Sequence, residues 1–235
     1  MFIRIFWYDP SLSTIPIDNF VAPVCLEKIG ILFEDEFLLA INKPSGLLSL
    51  SGKNPLNKDS VHYRLAQQYS DIRLTHRLDL GTSGIMLLAK NKEINAHLTK
   101  QFQARSVIKR YVSILAGELQ DSEGLIDLPI AKDKLLFPRL KICHQDGKSA
   151  QSHFQVSARL NQPVATEVMF TPLTGRTHQL RIHSQAIGHP IIGCDLYGTE
   201  ATQKMALRLM LHAFDITFDH PNSQQRMTLS SPCPF

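Results

Sequence analysis

The sequence predicts an α+β fold built on a mixed, mostly antiparallel β-sheet with flanking helices. Three observations carry that expectation. Short runs rich in β-branched and aromatic residues follow one another along the chain, with few helices between them. Helical spacing of apolar residues is confined to segments near 60–69, 91–105 and 177–187, too sparse for a doubly wound parallel sheet. At 235 residues and 43% hydrophobic, the chain can bury a sizeable core.

The elements follow in order. Residues 1–27 are expected to form an N-terminal arm. It mixes aromatics (Phe2, Phe6, Trp7, Tyr8) with turn formers (Asp9, Pro10, Pro16, Pro23). So many large apolar residues suit an arm packed on the main body better than a disordered tail. The body, 28–235, is expected to be one domain. A strand over 29–33, a turn at 34–36 and a second strand over 37–42 open it. Lys43-Pro44-Ser45-Gly46 then ends the strand in a tight turn. Over 60–69, Val61, Leu65 and Tyr69 share one helical face, with Ser60 as N-cap. Gly84 to Ala89 reads as a short apolar strand. Residues 91–105 read as an amphipathic helix carrying Ile94, Leu98 and Phe102. Further strands are expected over 110–116, 154–158, 167–170 and 214–218. A helix opening near Thr177 should run to about Ile187, stopped by Gly188 and Pro190.

Composition bounds the function. The net charge of +4 and pI near 8.9 permit an anionic partner such as nucleic acid without demanding one. Cys25, Cys143, Cys194 and Cys233 are widely scattered, which suits reduced thiols in a cytoplasm and excludes a zinc knuckle or C-x-x-C redox site. No apolar run reaches the roughly 18 residues of a membrane span. The start, MFIRIFWYDP, lacks the small-residue cleavage site of a secretory signal. No dinucleotide fingerprint and no metal-ligand spacing is present, so neither a nucleotide cofactor nor a metal is expected.

The densest polar cluster is Thr75-His76-Arg77-Leu78-Asp79-Leu80-Gly81-Thr82-Ser83-Gly84, directly before an apolar strand. Two glycines and small hydroxyl residues let such a loop bend sharply and approach a ligand closely. Asp79 is its only carboxylate and lies near Arg77. A neighbouring cation favours the ionised acid, which can act as nucleophile or base. A simple loop ion pair would account for the same residues. The second cluster is Gly175-Arg176-Thr177-His178-Gln179-Leu180-Arg181-Ile182-His183. Arg176, His178, Arg181 and His183 would make a basic helix start suited to a phosphate or a buried carboxylate, or merely a solvated face. The five-residue spacing of His178 and His183 is not that of a helical zinc pair. Lys109-Arg110-Tyr111 sets a phenol beside two cations at a strand start. Such a ring can stack on a base or serve as half-buried structure.

Taken together these segments resemble the RluA family of pseudouridine synthases. The match lies in several motifs in order: KPSGLLS (43–49), HRLDLGTSG (76–84), KRYV (109–112), GRTHQLRIH (175–183), GHPIIGCDLYG (188–198) and RLMLHA (208–213). It covers residue 28 to the end and is closest to the family's short form, without an added S4-type RNA-binding domain. LNKDSVHYR (56–64) and GLIDLPI (124–130) strengthen that closer match. The N-terminal arm departs from it.

The resemblance implies a bent, mostly antiparallel sheet with a central catalytic cleft. It implies a cytoplasmic enzyme, with no cofactor, that isomerises uridines in stem-loops of ribosomal RNA, transfer RNA or both. No strong interface pattern appears in the sequence, so a monomer is expected. It also implies roles. Asp79 falls on the catalytic aspartate, Tyr111 on the tyrosine that packs against the target base, and Arg181 on the arginine paired with the aspartate. Arg77 falls on the arginine that fills the stack left by a flipped nucleotide. Leu209 and Leu211 are expected to line the pocket. His76, Lys43, Arg176 and His178 are expected to contact the RNA. A non-catalytic RNA-binding protein on the same scaffold and a metal-dependent hydrolase using the histidines are the alternatives.

Overall fold

Extended runs along the chain lock into one large sheet. The computed structural model describes residues 20–136 and 138–235, so residues 1–19 of the expected arm lie outside it. Its strands are β1 (Gly30–Glu34), β2 (Leu38–Lys43), β3 (Arg73–Leu74), β4 (Ser83–Ala89), β5 (Ile108–Ala116), β6 (Glu123–Asp127), β7 (Ile130–Lys132), β8 (Leu140–Ile142), β9 (Gln151–Asn161), β10 (Val164–Pro172), β11 (Leu211–Asp219) and β12 (Arg226–Ser230). Its helices are α1 (Val61–Leu65), α2 (Lys92–Gln103), α3 (Gln179–Ala186) and α4 (Glu200–Lys204). The main sheet runs β1-β2-β4-β11-β5-β10-β9-β6, with β12 added to β11 and β3 to β4. Every pairing is antiparallel except β4 with β11, so the sheet is mixed and mostly antiparallel, as expected.

That parallel pairing is short and decides where the cleft lies. Only Ser83↔His212 and Ala213↔Gly84 are in register. Gly84 has φ +111°, and a Cβ there would sit 2.2 Å from the Ala213 carbonyl oxygen. Only glycine permits that approach. On one side of the seam, β1, β2, β4, α1 and α2 enclose one apolar core; on the other, β5, β9, β10 and α3 enclose a second. Strand β11 feeds both, and Tyr111 packs against both.

The helices are set by their caps. Ser60 accepts the Tyr63 amide and Asn91 accepts the Ile94 amide, each satisfying an orphan donor. The helix expected over 60–69 keeps its cap but is regular only to Leu65. Beyond it the chain turns toward β3, while Tyr69 still packs on the first core. Two expected strands are longer in the fold. The 154–158 and 167–170 segments become the hairpin β9–β10, whose outer end carries exposed polar residues that hide its periodicity.

Residues 20–27, the described end of the arm, are tied to the body. Asn57 accepts the Ala22 amide and donates to the Phe20 carbonyl, and Arg64 donates to the carbonyls of Cys25 and Glu27. The cysteines are free thiols. Among the described residues no helix is long and apolar enough to cross a membrane.

Candidate active site

A cleft of about 950 Å³ opens at the seam. Its floor and walls come from the 75–82 loop, the start of β5, the 172–178 loop and the start of α3. The 75–84 loop carries Asp79 and is bonded almost residue by residue. Thr75 donates its hydroxyl to the Leu87 carbonyl at 2.7 Å. His76 Nε2 accepts the Leu87 amide at 3.0 Å. Ser49 Oγ accepts the Leu78 amide and donates to the Leu78 carbonyl. Gly46 N and Lys43 Nζ both donate to the Leu80 carbonyl, and Ser45 Oγ donates to that of Gly81. The 43–49 turn is therefore the cradle of the Asp79 loop. Behind it, Ser83 Oγ meets His212 Nδ1 at 2.8 Å and accepts from Arg208.

Asp79 keeps a quarter of its side-chain surface exposed to the cleft. Arg181, almost fully buried, approaches it with Nη1 at 3.9 Å from Oδ2. This is a single long contact, so the pairing that the resemblance implies is present but loose. The guanidinium is shared: Nη2 donates to Asp195 Oδ1, Nε faces Cys194 Sγ, and the plane covers the Tyr197 ring at 5.3 Å. Burial works against its charge, but Cys194, Asp79 and Asp195 together hold its pKa above the usual value. Burial, with the Asp79 charge added, pushes the Tyr111 phenol well above its ordinary range, so it stays protonated.

Of the sequence-predicted residues, Asp79, Tyr111, Arg181, Arg77, His76, Arg176, His178 and Leu211 line the cleft. Arg77 is exposed at its mouth and makes no ion pair among the described residues, so a loop salt bridge with Asp79 does not form. Arg176 donates to the Ser149 carbonyl. His178 starts α3 in the left-handed conformation, with Nδ1 2.8 Å from the Tyr197 hydroxyl, and burial lowers its pKa.

Three expectations are corrected. Lys43 is fully buried and lies outside the cleft. It donates to the carbonyls of Pro44, Leu47 and Leu80, and burial lowers its pKa to about 7 despite the nearby Asp79. It holds the loop from beneath instead of contacting substrate. Leu209 lies behind the loop, against Gly81, whose Cβ would come within 3.1 Å of Leu209 Cβ. His183 does not join a basic helix start. It is buried between Ser152 Oγ and the Leu128 carbonyl, while His178 faces Tyr197, so the two rings serve different places.

His76 lines the cleft but its ring is committed. It accepts the Leu87 amide and packs on Phe102 at 4.8 Å, and burial, with help from Lys109, drops its pKa to about 3. Sequence reasoning passed over Asp195, Tyr197, Ser45 and Ser49. All four lay inside the quoted motifs, but only the fold shows them reaching Arg181 or the Asp79 loop.

The comparisons with known proteins agree with this geometry. The family model described as RNA pseudouridylate synthase matches residues 37–186. A protein of Vibrio parahaemolyticus named dual-specificity RNA pseudouridine synthase RluA is 46% identical over 208 residues, covering 87% of this chain and 83% of that protein. The protein of the same name from Escherichia coli (strain K12) is 40% identical over 205 residues, covering 87% and 93%. Among solved structures, human RNA pseudouridylate synthase domain containing 1 superposes with a TM-score of 0.76 at 28% identity, covering 91% of this chain and 86% of that one.

Proposed function

The chain belongs to the RNA pseudouridylate synthase family and is an RNA pseudouridine synthase, and from that premise we propose that Asp79 is its catalytic carboxylate. The reaction breaks the N1–C1′ glycosidic bond, turns the uracil, and joins C5 to C1′. The proton on C5 leaves and N1 gains one, so the product is an isomer and no redox partner enters. Attack at C1′, attack at C6 and proton removal at C2′ each need one carboxylate beside the everted nucleoside. The observation that carries the assignment is the partly exposed Asp79, held on a fully bonded loop at the floor of a cleft and facing the buried Arg181.

The other parts follow from their chemistry. Tyr111, protonated and packed half-buried against both cores, offers a ring for the uracil and a proton for transfer. Stacking there supplies roughly 1–3 kcal/mol. Arg77, exposed at the mouth, enters the vacated stack and offsets part of the few kcal/mol that flipping costs. Arg181 orients Asp79 while Asp195 and Tyr197 hold the guanidinium in place.

We further propose that the targets are uridines in stem-loops of ribosomal RNA, transfer RNA or both, modified in the cytoplasm by a monomer. The shared name of the bacterial relatives supports more than one target. RNA loops offer splayed bases that a duplex does not. Pseudouridine mapping of total RNA from cells with and without the gene tests this. Loss of one or a few loop sites is expected. An unchanged map would overturn it.

A further inference from the structure

Lys109 is a cation of the cleft with no work in the mechanism above. Lys109 stands on β5 two residues before Tyr111, and alternate residues of a strand share a face. Both line the cleft. Lys43 spends its protons on three carbonyls, and Arg110 grips the buried Asp215 through Nε at 2.8 Å. The half-buried Lys109 ammonium, in contrast, meets no hydrogen-bond acceptor and no carboxylate among the described residues. Its nearest wall is the loop at Gly175, where an added Cβ would lie 3.9 Å from Nζ. A partly desolvated charge without a counter-ion is unfavourable, and a bound anion would relieve it.

A second cation lines the same cleft. Arg105, also on the cleft, follows the C-terminal end of α2 with φ +58°. Glycine is the favoured residue at such a helix end, so a side chain is kept there against backbone strain. Arg105 has no ion pair among the described residues either. The carboxylates lining the cleft are Asp79 and Asp195, and both face Arg181. Among the described residues no carboxylate neutralises Arg105 or Lys109.

We propose that Lys109 and Arg105 form a phosphate subsite that takes a backbone phosphate beside the everted uridine. The proposal rests on RNA being the substrate. A phosphate is the anion every nucleotide of that substrate brings, whereas uracil is neutral when it enters.

The test is titration of a short synthetic RNA hairpin with loop uridines onto the full chain over a range of KCl concentrations. Lys109→Met should weaken binding roughly tenfold at low salt. It should lower the slope of log affinity against log salt by about one. The loss in kcat/KM should fall on KM, and Lys109→Arg should restore the slope. The thermal midpoint of Lys109→Met should rise, because an uncompensated charge is gone; Arg105→Gly should likewise lower the slope and raise the midpoint. An unchanged slope overturns the proposal. So does a fall in kcat at saturating RNA with the slope intact, which would place the cation on the base. A lower melting point with the slope intact would make Lys109 structural and overturn it as well. Product formation by the wild type is scored separately. Failure of the enzymatic reading shows as no pseudouridine, and failure of this proposal as an unmoved slope.

Discussion

Asp79 is the only carboxylate of a loop rich in small and polar residues, and the fold leaves it a quarter exposed in the cleft. The neighbours were less legible. Lys43 and Leu209 belong to the right motifs, yet spacing along a chain cannot say which side of a loop a residue supports. Lys43 packs beneath Leu80 and Leu209 behind Gly81, so both shape the site without entering it. Tyr111→Phe should keep RNA affinity while slowing product formation roughly a hundredfold. Single-turnover assays on the bound RNA measure this, and unchanged kinetics would remove the phenol from the chemistry. His76 allows a pH prediction. Its folded pKa, about 3, lies below the ordinary histidine value of 6.5. The unfolded chain therefore binds the extra proton first, and the ring's stabilising contribution is complete above pH 6.5 and lost as pH falls toward 3. His76→Leu should be destabilised at pH 7, through loss of the bond from the Leu87 amide, and the deficit should shrink toward pH 4. Urea titrations at the two pH values decide it; a constant deficit would mean the ring is not held neutral.

At the level of elements, the link between KPSGLLS and HRLDLGTSG is a hydrogen-bonded cradle. Read alone, the 43–49 turn carried little information. Its Ser45, Ser49 and Gly46 donors matter only once β2 and β4 pair and bring the two segments together. Strands β2, β4, β5 and β11 were legible because burial gives them apolar runs or clean alternation. Strands β3, β6, β7, β8 and β12 were not, because they are short or half-exposed and give too few residues to show a period. The seam between β4 and β11 gives the sharpest prediction at this scale. Gly84→Ala would drive a methyl into the Ala213 backbone at a positive φ, costing at least about 3 kcal/mol. Thermal unfolding should show that loss, with activity falling alongside because Ser83 anchors the Asp79 loop to His212. A variant with wild-type melting would mean that the seam opens easily.

Across the whole molecule, two apolar cores share one continuous sheet, and the cleft exists because they meet at a two-residue parallel junction. The α+β class and the mostly antiparallel sheet could be read from the order of strands and helices. The partition into two cores could not, since it depends on strand order in space. Because β11 contributes Ile216 and Phe218 to one core and Leu211 to the other, the described body should unfold as one unit. Coincident urea transitions by far-ultraviolet dichroism and tyrosine fluorescence would show it, and separated transitions would mean that the cores are independent. The fold, the loop cradle and the shared Arg181 all converge on one acid. The most direct measurement is product formation and RNA binding by Asp79→Asn on an RNA that the wild type modifies. The variant should bind that RNA as the wild type does and make no pseudouridine; product formed at the wild-type rate would contradict the assignment.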